Sequence, residues 1–344
     1  MKPHNLFCYI LCCCSLFLGC NSKKAPTEES ISTVAPKKTP LSSWHESKSK
    51  QAILDFVSVV TDSNHQDFVP IEDRIAVFDN DGTLWVEKPY YTQLKFALDR
   101  IKATSKEHPE WKKDPIVQAV LKDDLQAILK EGEKGLMKVV MYSHAGMTTE
   151  EFDQQVSSWL DTARHPKTQK KYTEMVYQPM IELIHYLQEN QFKVYICSGG
   201  GIDFIRPWAY KVYNISKENV IGSSLKMAYE ITPEGLVISR LPEINSINDK
   251  EIKPVNIQLH IGQKPIAAFG NSDGDLAMLS WTASGKNHSL MAFVHHTDSI
   301  REWQYDRDSH VGTFTKGLDS ARSKGWTLID MQRDWKVIYP YQKK

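Results

Sequence analysis

Asp79 and Asp81 stand two positions apart in "VFDNDGTLW", directly after the apolar run Ile75–Phe78. A short D-x-D-G-T pattern by itself fits a surface turn or a calcium-binding loop as well as it fits catalysis. As chemistry, one acid would attack an electrophile while the other moves a proton. Context favours the chemical reading. The apolar runs Val194–Cys197 and Ile266–Phe269 also break off abruptly, into "SGGG" and "GNSDGD". Each of the three is followed by a helical pattern. In open α/β sheets ligands bind beyond the carboxyl ends of the strands, so three such ends predict one shared crevice.

These runs, with Leu290–Val294, have the continuous apolar character of strands buried on both faces of a parallel sheet. The predicted class is α/β, a doubly wound, mostly parallel sheet. Residues 44–89 and 172–344 form its core, with a helix predicted from Trp44 to Val60 on the exterior. Residues 90–171 form an insert of helical periodicity. Leu94, Leu98 and Ile101 begin one face, and Val117, Leu121, Leu125 and Ile128 continue another. Thr148 with Glu151 makes a capping box. An insert of this length needs its own core, and a helical cap domain over the crevice is expected.

The N-terminus has a different character. Lys2 precedes an apolar stretch that ends at Cys20, too short to span a bilayer but with the length and flanks of a secretory signal. "LFLGC" resembles a bacterial lipobox, although Phe17 occupies a position where Leu is usual. Residues 1–20 are therefore expected to be a signal, with Cys20 as the lipidated residue. Residues 21–43, rich in Ser, Thr, Pro and Lys, would be a flexible tether. The expected location is the bacterial cell envelope, lipid-anchored, as a periplasmic or outer-membrane lipoprotein. Beyond residue 20 only Cys197 remains, so no internal disulfide is available to the body. With 42 basic and 42 acidic residues, the chain carries no bulk charge for binding nucleic acid. The expected partners are a small substrate and the membrane.

Four segments together resemble the haloacid dehalogenase-like hydrolase superfamily, in particular its phosphoserine phosphatase-like branch. They are "DNDGT" at Asp79–Thr83, Ser198 in "YICSGGG", Lys253 in "KPVNI" and "GNSDGDLAML" at Gly270–Leu279. The resemblance runs from about Arg74 to the chain end. It implies a phosphomonoesterase with Mg²⁺ as cofactor, Asp79 as nucleophile and Asp81 as acid and base. Asp79, the Asp81 carbonyl, Asn271 and Asp275 would be the metal ligands. Asn271 departs from the pattern, which usually has Asp there. A neutral amide oxygen keeps ligation but lowers the local negative charge. Asp273 is a further acid that could act through water. In phosphoserine phosphatases a glutamate near the position of Glu87 contacts the substrate ammonium, which makes Glu87 a candidate substrate residue and an amine-bearing monoester a candidate substrate.

The residue types are consistent with that chemistry. A dianionic monoester repels a carboxylate, so attack by Asp79 needs a bridging cation, and Mg²⁺ suits carboxylate and water ligands. Ser198 and the amides around Gly199 and Gly200 would hold phosphoryl oxygens at a helix N-terminus. Lys253 would neutralise Asp79 and the transferring group, with Lys250 as its competitor. His295 and His296 lack a partner at metal-ligand spacing and are read as structural or surface residues. Trp208 is read as core, and Arg206 as facing either substrate or an ion pair. A true dehalogenase would need neither Asp81 nor the fourth segment. A non-catalytic surface or binding lipoprotein that keeps the fold is the alternative from another class, and loss of Asp79, Asp81 or Lys253 would mark it.

Overall fold

The computed structural model describes residues 40–342 apart from residue 234. The expected signal, Cys20 and most of the tether lie outside the described residues. Among the described residues no helix is long and apolar enough to cross a membrane.

The chain enters through helix α1 (Lys48–Thr61) and strand β1 (Ile75–Phe78). Five helices follow: α2 (Thr92–Thr104), α3 (Pro115–Leu121), α4 (Leu125–Lys130), α5 (Gly132–His144) and α6 (Thr149–Thr162). Then come α7 (Gln178–Glu189), β2 (Lys193–Gly201) and α8 (Ile202–Tyr213). A hairpin of β3 (Val220–Thr232) and β4 (Gly235–Ser246) precedes α9 (Ile252–Ile261), β5 (Ala267–Gly270) and α10 (Leu276–Ala283). The last elements are β6 (Leu290–His295), α11 (Lys316–Lys324), β7 (Thr327–Asp330) and α12 (Met331–Asp334).

The seven strands are ordered β4-β3-β2-β1-β5-β6-β7. Every neighbouring pair is parallel except β3 with β4. This is the doubly wound, mostly parallel α/β sheet that the apolar runs predict. β1 lies between β2 and β5, with Ala76 opposite both Val194 and Ala267. The chain turns to one side of β1 for β2 and β3 and to the other for β5 to β7. The switch point, and with it the crevice, is therefore at the carboxyl ends of β1, β2 and β5.

Two apolar layers cover the sheet. One joins Phe78, Ile196 and Phe269 to α7 and α1; the other joins Val77, Cys197 and Ala268 to Ile257, Met278 and Leu318. α1 begins at Lys48, not Trp44, because Ser47 caps it by accepting from the Lys50 amide. Its face of Ile53, Phe56, Val57 and Val60 is buried in the main core. Between β1 and β2, Ala97, Ile101, Trp111, Val117, Val120 and Val139 form a separate small core. Phe96, Phe152 and Leu160 of the same insert instead join the main core, where Phe96 meets Phe204 at a centroid distance of 5.3 Å. The insert is thus packed onto the sheet side and has a core of its own. Thr148 and Glu151 cap α6 reciprocally, as the capping box requires.

Candidate active site

β1 delivers Asp79 into the crevice, and its ladder ends with the Asp79 amide donating to Phe269 O at 2.9 Å. The chain then turns tightly: Asn80 O accepts from the amides of Thr83 at 3.2 Å and Leu84 at 2.8 Å. Gly82 has φ +76°, and a Cβ there would overlap Asn271 Nδ2 and Glu87 Oε1. Glycine is needed at this position for conformation and for space. The turn aims Asp81 sideways, where Trp85 Nε1 donates to its Oδ1 at 2.9 Å. Trp85 is fixed by stacking on Trp208, with centroids 4.4 Å apart. Trp208 is core, as read from the sequence.

Lys253 closes the centre. Its Nζ lies 2.6 Å from Asp79 Oδ1 and 2.6 Å from Asp275 Oδ1, and all three side chains are buried. Lys250, by contrast, sits at φ +51° with a side chain 66% exposed, 4.0 Å from Asp249. The other oxygen of Asp275 accepts from the amides of Asn271 at 3.0 Å and Ser272 at 3.1 Å. Asp275 thus holds the lysine and the loop after β5 together. Asp273 points away from the centre, its Oδ1 accepting from the amides of Thr315 and Gly317 ahead of and within α11.

Burial raises the Asp79 carboxyl well above the usual range; Asp275 and Asp81 add to this and Lys253 opposes it. Burial pushes Lys253 the other way, but the carboxylates of Asp275 and Asp79 outweigh it and keep the ammonium charged. Lys253 is thus a protonated ammonium bridging two acids. Asp81 is also raised by the protein packed around its carboxyl, with Trp85 and Lys253 pulling it back.

β2 supplies Ser198, whose Oγ accepts from the Gly200 amide at 2.9 Å and bonds the Asp81 carboxyl. Gly199 is exposed at the crevice, and α8 starts at Ile202, so the helix N-terminus faces the same space. Asn248 Nδ2 donates to Ser198 O at 2.9 Å, and Asn256 Nδ2 to Asn248 Oδ1 at 3.0 Å, tying β2 to α9. Arg206 is occupied elsewhere, donating to Lys217 O. Cys197, behind the site, is a free thiol pushed up to about 11 by burial.

Asn271 is pinned on both sides of its amide. Thr83 Oγ1 donates to its Oδ1 at 3.1 Å, and its Nδ2 donates to Glu87 Oε1 at 2.8 Å. Tyr305 donates to the same Glu87 oxygen at 2.6 Å. Glu87 is 2% exposed, and burial raises its carboxyl well above the usual range while Tyr305 lowers it. His296 stacks on Tyr305 at 4.3 Å and places Nε2 2.8 Å from Gly82 O and Nδ1 3.2 Å from Glu302. His296 is therefore structural, bonded to the carbonyl of Gly82 in the turn after β1. A cavity of about 670 Å³ is lined by Lys167, Trp303, Tyr305 and Asp306 but by neither Asp79 nor Asp81.

Among the described residues no cluster of three or more His, Cys, Asp or Glu side chains has metal-holding geometry. Of the four expected ligands, Asp275 has its oxygens on Lys253 and on the amides of Asn271 and Ser272, which leaves the Asp79 carboxylate, the Asp81 carbonyl and the Asn271 amide oxygen as the donors that would hold a metal. All are hard oxygens, and Mg²⁺ uses one or two carboxylates plus waters. Gly82 gives room to Asn271 Nδ2 and Glu87 Oε1, and the Asn271 oxygen is turned to Thr83.

Residues 76–280 match the model of the haloacid dehalogenase-like hydrolase family. The chain is a haloacid dehalogenase-like hydrolase. Among solved structures, a conserved protein of unknown function from Anaerococcus prevotii is similar with a TM-score of 0.52. It is 17% identical, covering 85% of this chain and 93% of that one, and shows the shared fold. A protein of unknown function from Bordetella pertussis is 14% identical over 75% of this chain and 98% of that one, with a TM-score of 0.47. A probable phosphoserine phosphatase from Vibrio cholerae is 15% identical over 69% and 60%, with a TM-score of 0.37. No curated protein matches.

In this hydrolase the geometry gathers Asp79, Asp81, Ser198, Lys253 and Asp275 around one crevice, with Asn271 and Glu87 against its catalytic turn. Sequence reasoning missed Thr83, Gln93, His144, Asn248 and Tyr305 as site residues. Thr83 was within a quoted segment. The others are brought in only by tertiary packing.

Proposed function

We propose that the chain is a Mg²⁺-dependent phosphomonoesterase that works through an aspartyl-phosphate. The observation that carries this is the buried Lys253 between Asp79 and Asp275, with Asp81 and Ser198 beside them at the ends of adjacent strands. An Asp79 oxygen attacks phosphorus while the bond to the leaving alcohol breaks. Asp81, raised by its surroundings, gives its proton to that alkoxide. It then takes a proton from the water that splits the acyl phosphate and releases orthophosphate. Lys253, Ser198 and the exposed Gly199 backbone hold the phosphoryl oxygens, with the Gly200 amide engaged by Ser198 Oγ. Mg²⁺ bound by Asp79, the Asp81 carbonyl and Asn271 would cancel the repulsion between carboxylate and dianion. Asp275 supports that site through the loop it holds.

The finer substrate class rests on Glu87. Glu87 lies against the turn after β1 with a carboxyl that burial raises, already accepting from Asn271 and Tyr305, so a substrate ammonium would be the cation that brings out its charge. A small monoester bearing an amine or quaternary ammonium is the substrate we infer. Cys20 is the proposed lipid attachment and the cell envelope the proposed location. Loss of membrane retention in Cys20→Ser, with turnover kept, checks both.

The test is phosphate release from sugar, amino-acid, choline and nucleotide monophosphates, with Mg²⁺ and with chelator, for the wild type and Asp79→Asn. Turnover that needs both Mg²⁺ and Asp79 is expected. Turnover surviving in Asp79→Asn refutes the covalent mechanism. Glu87→Gln should narrow the kcat/KM ratio of phosphoethanolamine to a neutral sugar phosphate; an unchanged ratio removes the basis for an amine preference.

A further inference from the structure

Gln93, the second residue of α2, reaches from the helical insert to the phosphate side of the crevice. The Gly201 amide meets its Oε1 at 2.7 Å, and its Nε2 lies 2.9 Å from His144 Nε2. A backbone N–H can only donate, so the amide atom facing Gly201 must be the oxygen, and the nitrogen faces His144. A donor facing His144 Nε2 requires that ring atom to be a bare acceptor. The opposite ring atom, Nδ1, lies 2.6 Å from Ser143 Oγ, and that hydroxyl donates to Val139 O at 2.6 Å. Nδ1 therefore carries the hydrogen and donates to Ser143. Each partner in the chain Val139–Ser143–His144–Gln93–Gly201 has one permitted role. The orientation of the Gln93 amide is set by the fold.

His144 is 2% exposed, edge-on to Phe96 at 5.5 Å, with its carbonyl held by Arg240 Nε at 2.8 Å. Gln93 itself is half-buried at the crevice. The Cβ position at Gly200 lies 3.1 Å from Gln93 Oε1, 3.2 Å from Ser198 Oγ and 3.5 Å from Asp81 Oδ2. The Cβ position at Gly201 lies 2.6 Å from Gln93 Nε2. The oxygen of the amide therefore borders the space shared by Ser198 and Asp81, where a leaving group protonated by Asp81 would stand, and its nitrogen lies alongside, next to Gly201. One bond of the Gln93 NH₂ goes to His144, and one N–H remains.

We propose that Gln93 is a specificity-determining residue whose remaining N–H binds an oxygen acceptor on the leaving alcohol, with His144 as the positioning residue behind it. This rests on the phosphomonoesterase reading. The favoured leaving groups are alkyl alcohols with a hydroxyl, carbonyl or carboxylate oxygen close to the ester oxygen. Glu87 and Gln93 address different parts of such an alcohol, one a cation and the other an acceptor.

The experiment compares kcat/KM of the full chain for glycerol 3-phosphate and propyl phosphate, which differ in their hydroxyl groups. The wild type should favour glycerol 3-phosphate about tenfold, the value of one well-placed hydrogen bond. Gln93→Ala should remove that preference, read as the ratio of the two esters, whatever common loss follows from freeing the Gly201 amide. His144→Leu should remove it through KM, and His144→Gln, which keeps an acceptor, should restore it. The histidine ¹⁵N shifts of the wild type should show the Nδ1–H tautomer at His144. Equal losses on both esters in Gln93→Ala, or no preference in the wild type, overturn the role of Gln93. Turnover of neither ester, nor of any monoester in the wider screen, sinks the phosphatase reading and this role with it. Turnover of other monoesters only overturns this inference alone.

Discussion

His144 should make the fold sensitive to mild acid. Burial drives its pKa down from 6.5 to about 3, and the charges of Arg240 and Arg100 push the same way, against a bond to the Val140 backbone. The folded ring is neutral, whereas in the unfolded chain it takes a proton near pH 6.5. Between these values the unfolded state binds more protons, so stability falls as pH falls. The contribution is nearly complete above pH 7, declines through pH 6.5 toward pH 3 and is constant below that. At pH 5 the unfolded ring lies about 1.5 pH units below its pKa, which corresponds to about 2 kcal/mol at ~1.4 kcal/mol per unit.

Acid also affects the carboxylates, so the measurement is a difference. Urea unfolding of the wild type and His144→Gln at pH 7 and pH 5 gives four stabilities. The variant carries a constant offset from the altered packing. The wild-type advantage over it should shrink by about 2 kcal/mol between the two pH values, a relative Tm shift of roughly 4–8 °C. If the two curves run parallel to within about 0.5 kcal/mol, His144 does not stay neutral in the fold. The hydrogen-bond roles assigned along Ser143, His144 and Gln93 would then fail too.

Asp81→Asn should slow alkyl phosphates by roughly 10²–10⁴-fold. It should slow p-nitrophenyl phosphate much less, because nitrophenolate leaves without a proton; equal losses on both would show that Asp81 is not the acid. Lys253→Met strands two buried carboxyls and should cost about 3–5 kcal/mol, read as a lowered urea midpoint at pH 7. Gly82→Ala forces a Cβ into Asn271 and Glu87 at φ +76° and should cost about 2 kcal/mol or more in thermal unfolding. Asn271→Asp sets a second carboxyl against Glu87 and should lower stability in chelator but raise the stabilisation gained on adding Mg²⁺; a variant as stable as the wild type in chelator would contradict the close Asn271–Glu87 contact.

What the sequence made legible follows from the physics of each element. β1, β2, β5 and β6 are buried on both faces, so they stand out as apolar runs, and their polar exits mark the crevice. Lys253 was distinguishable from Lys250 only by analogy of spacing. Burial between two acids is what separates them in the structure. The β3–β4 hairpin escaped detection because its alternation is weak and much of it is solvent-facing, with Tyr229, Ile231 and Leu236 exposed. β7 is four residues of mixed character, too short for periodicity to register. Gln93, His144 and Tyr305 have no local signature. Gln93 and Gly201 are 108 positions apart, and Glu87 and Tyr305 are 218 apart, so only the packed insert and the β6–α11 connection bring them to the turn.

The departure at Asn271 has a local explanation once Glu87 is in place. An aspartate at 271 would stand next to the Glu87 carboxyl, with Tyr305 and Thr83 as its other close neighbours, both neutral. Two buried carboxyls at hydrogen-bond distance cannot both ionise, so one would hold a proton. With asparagine, the amide donates to Glu87 and offers its oxygen to the other side. The pair then holds one carboxyl in place of two, and Tyr305 donates to it as well. The position of an acid in three dimensions, and not its place in a motif, decides the electrostatics of the site.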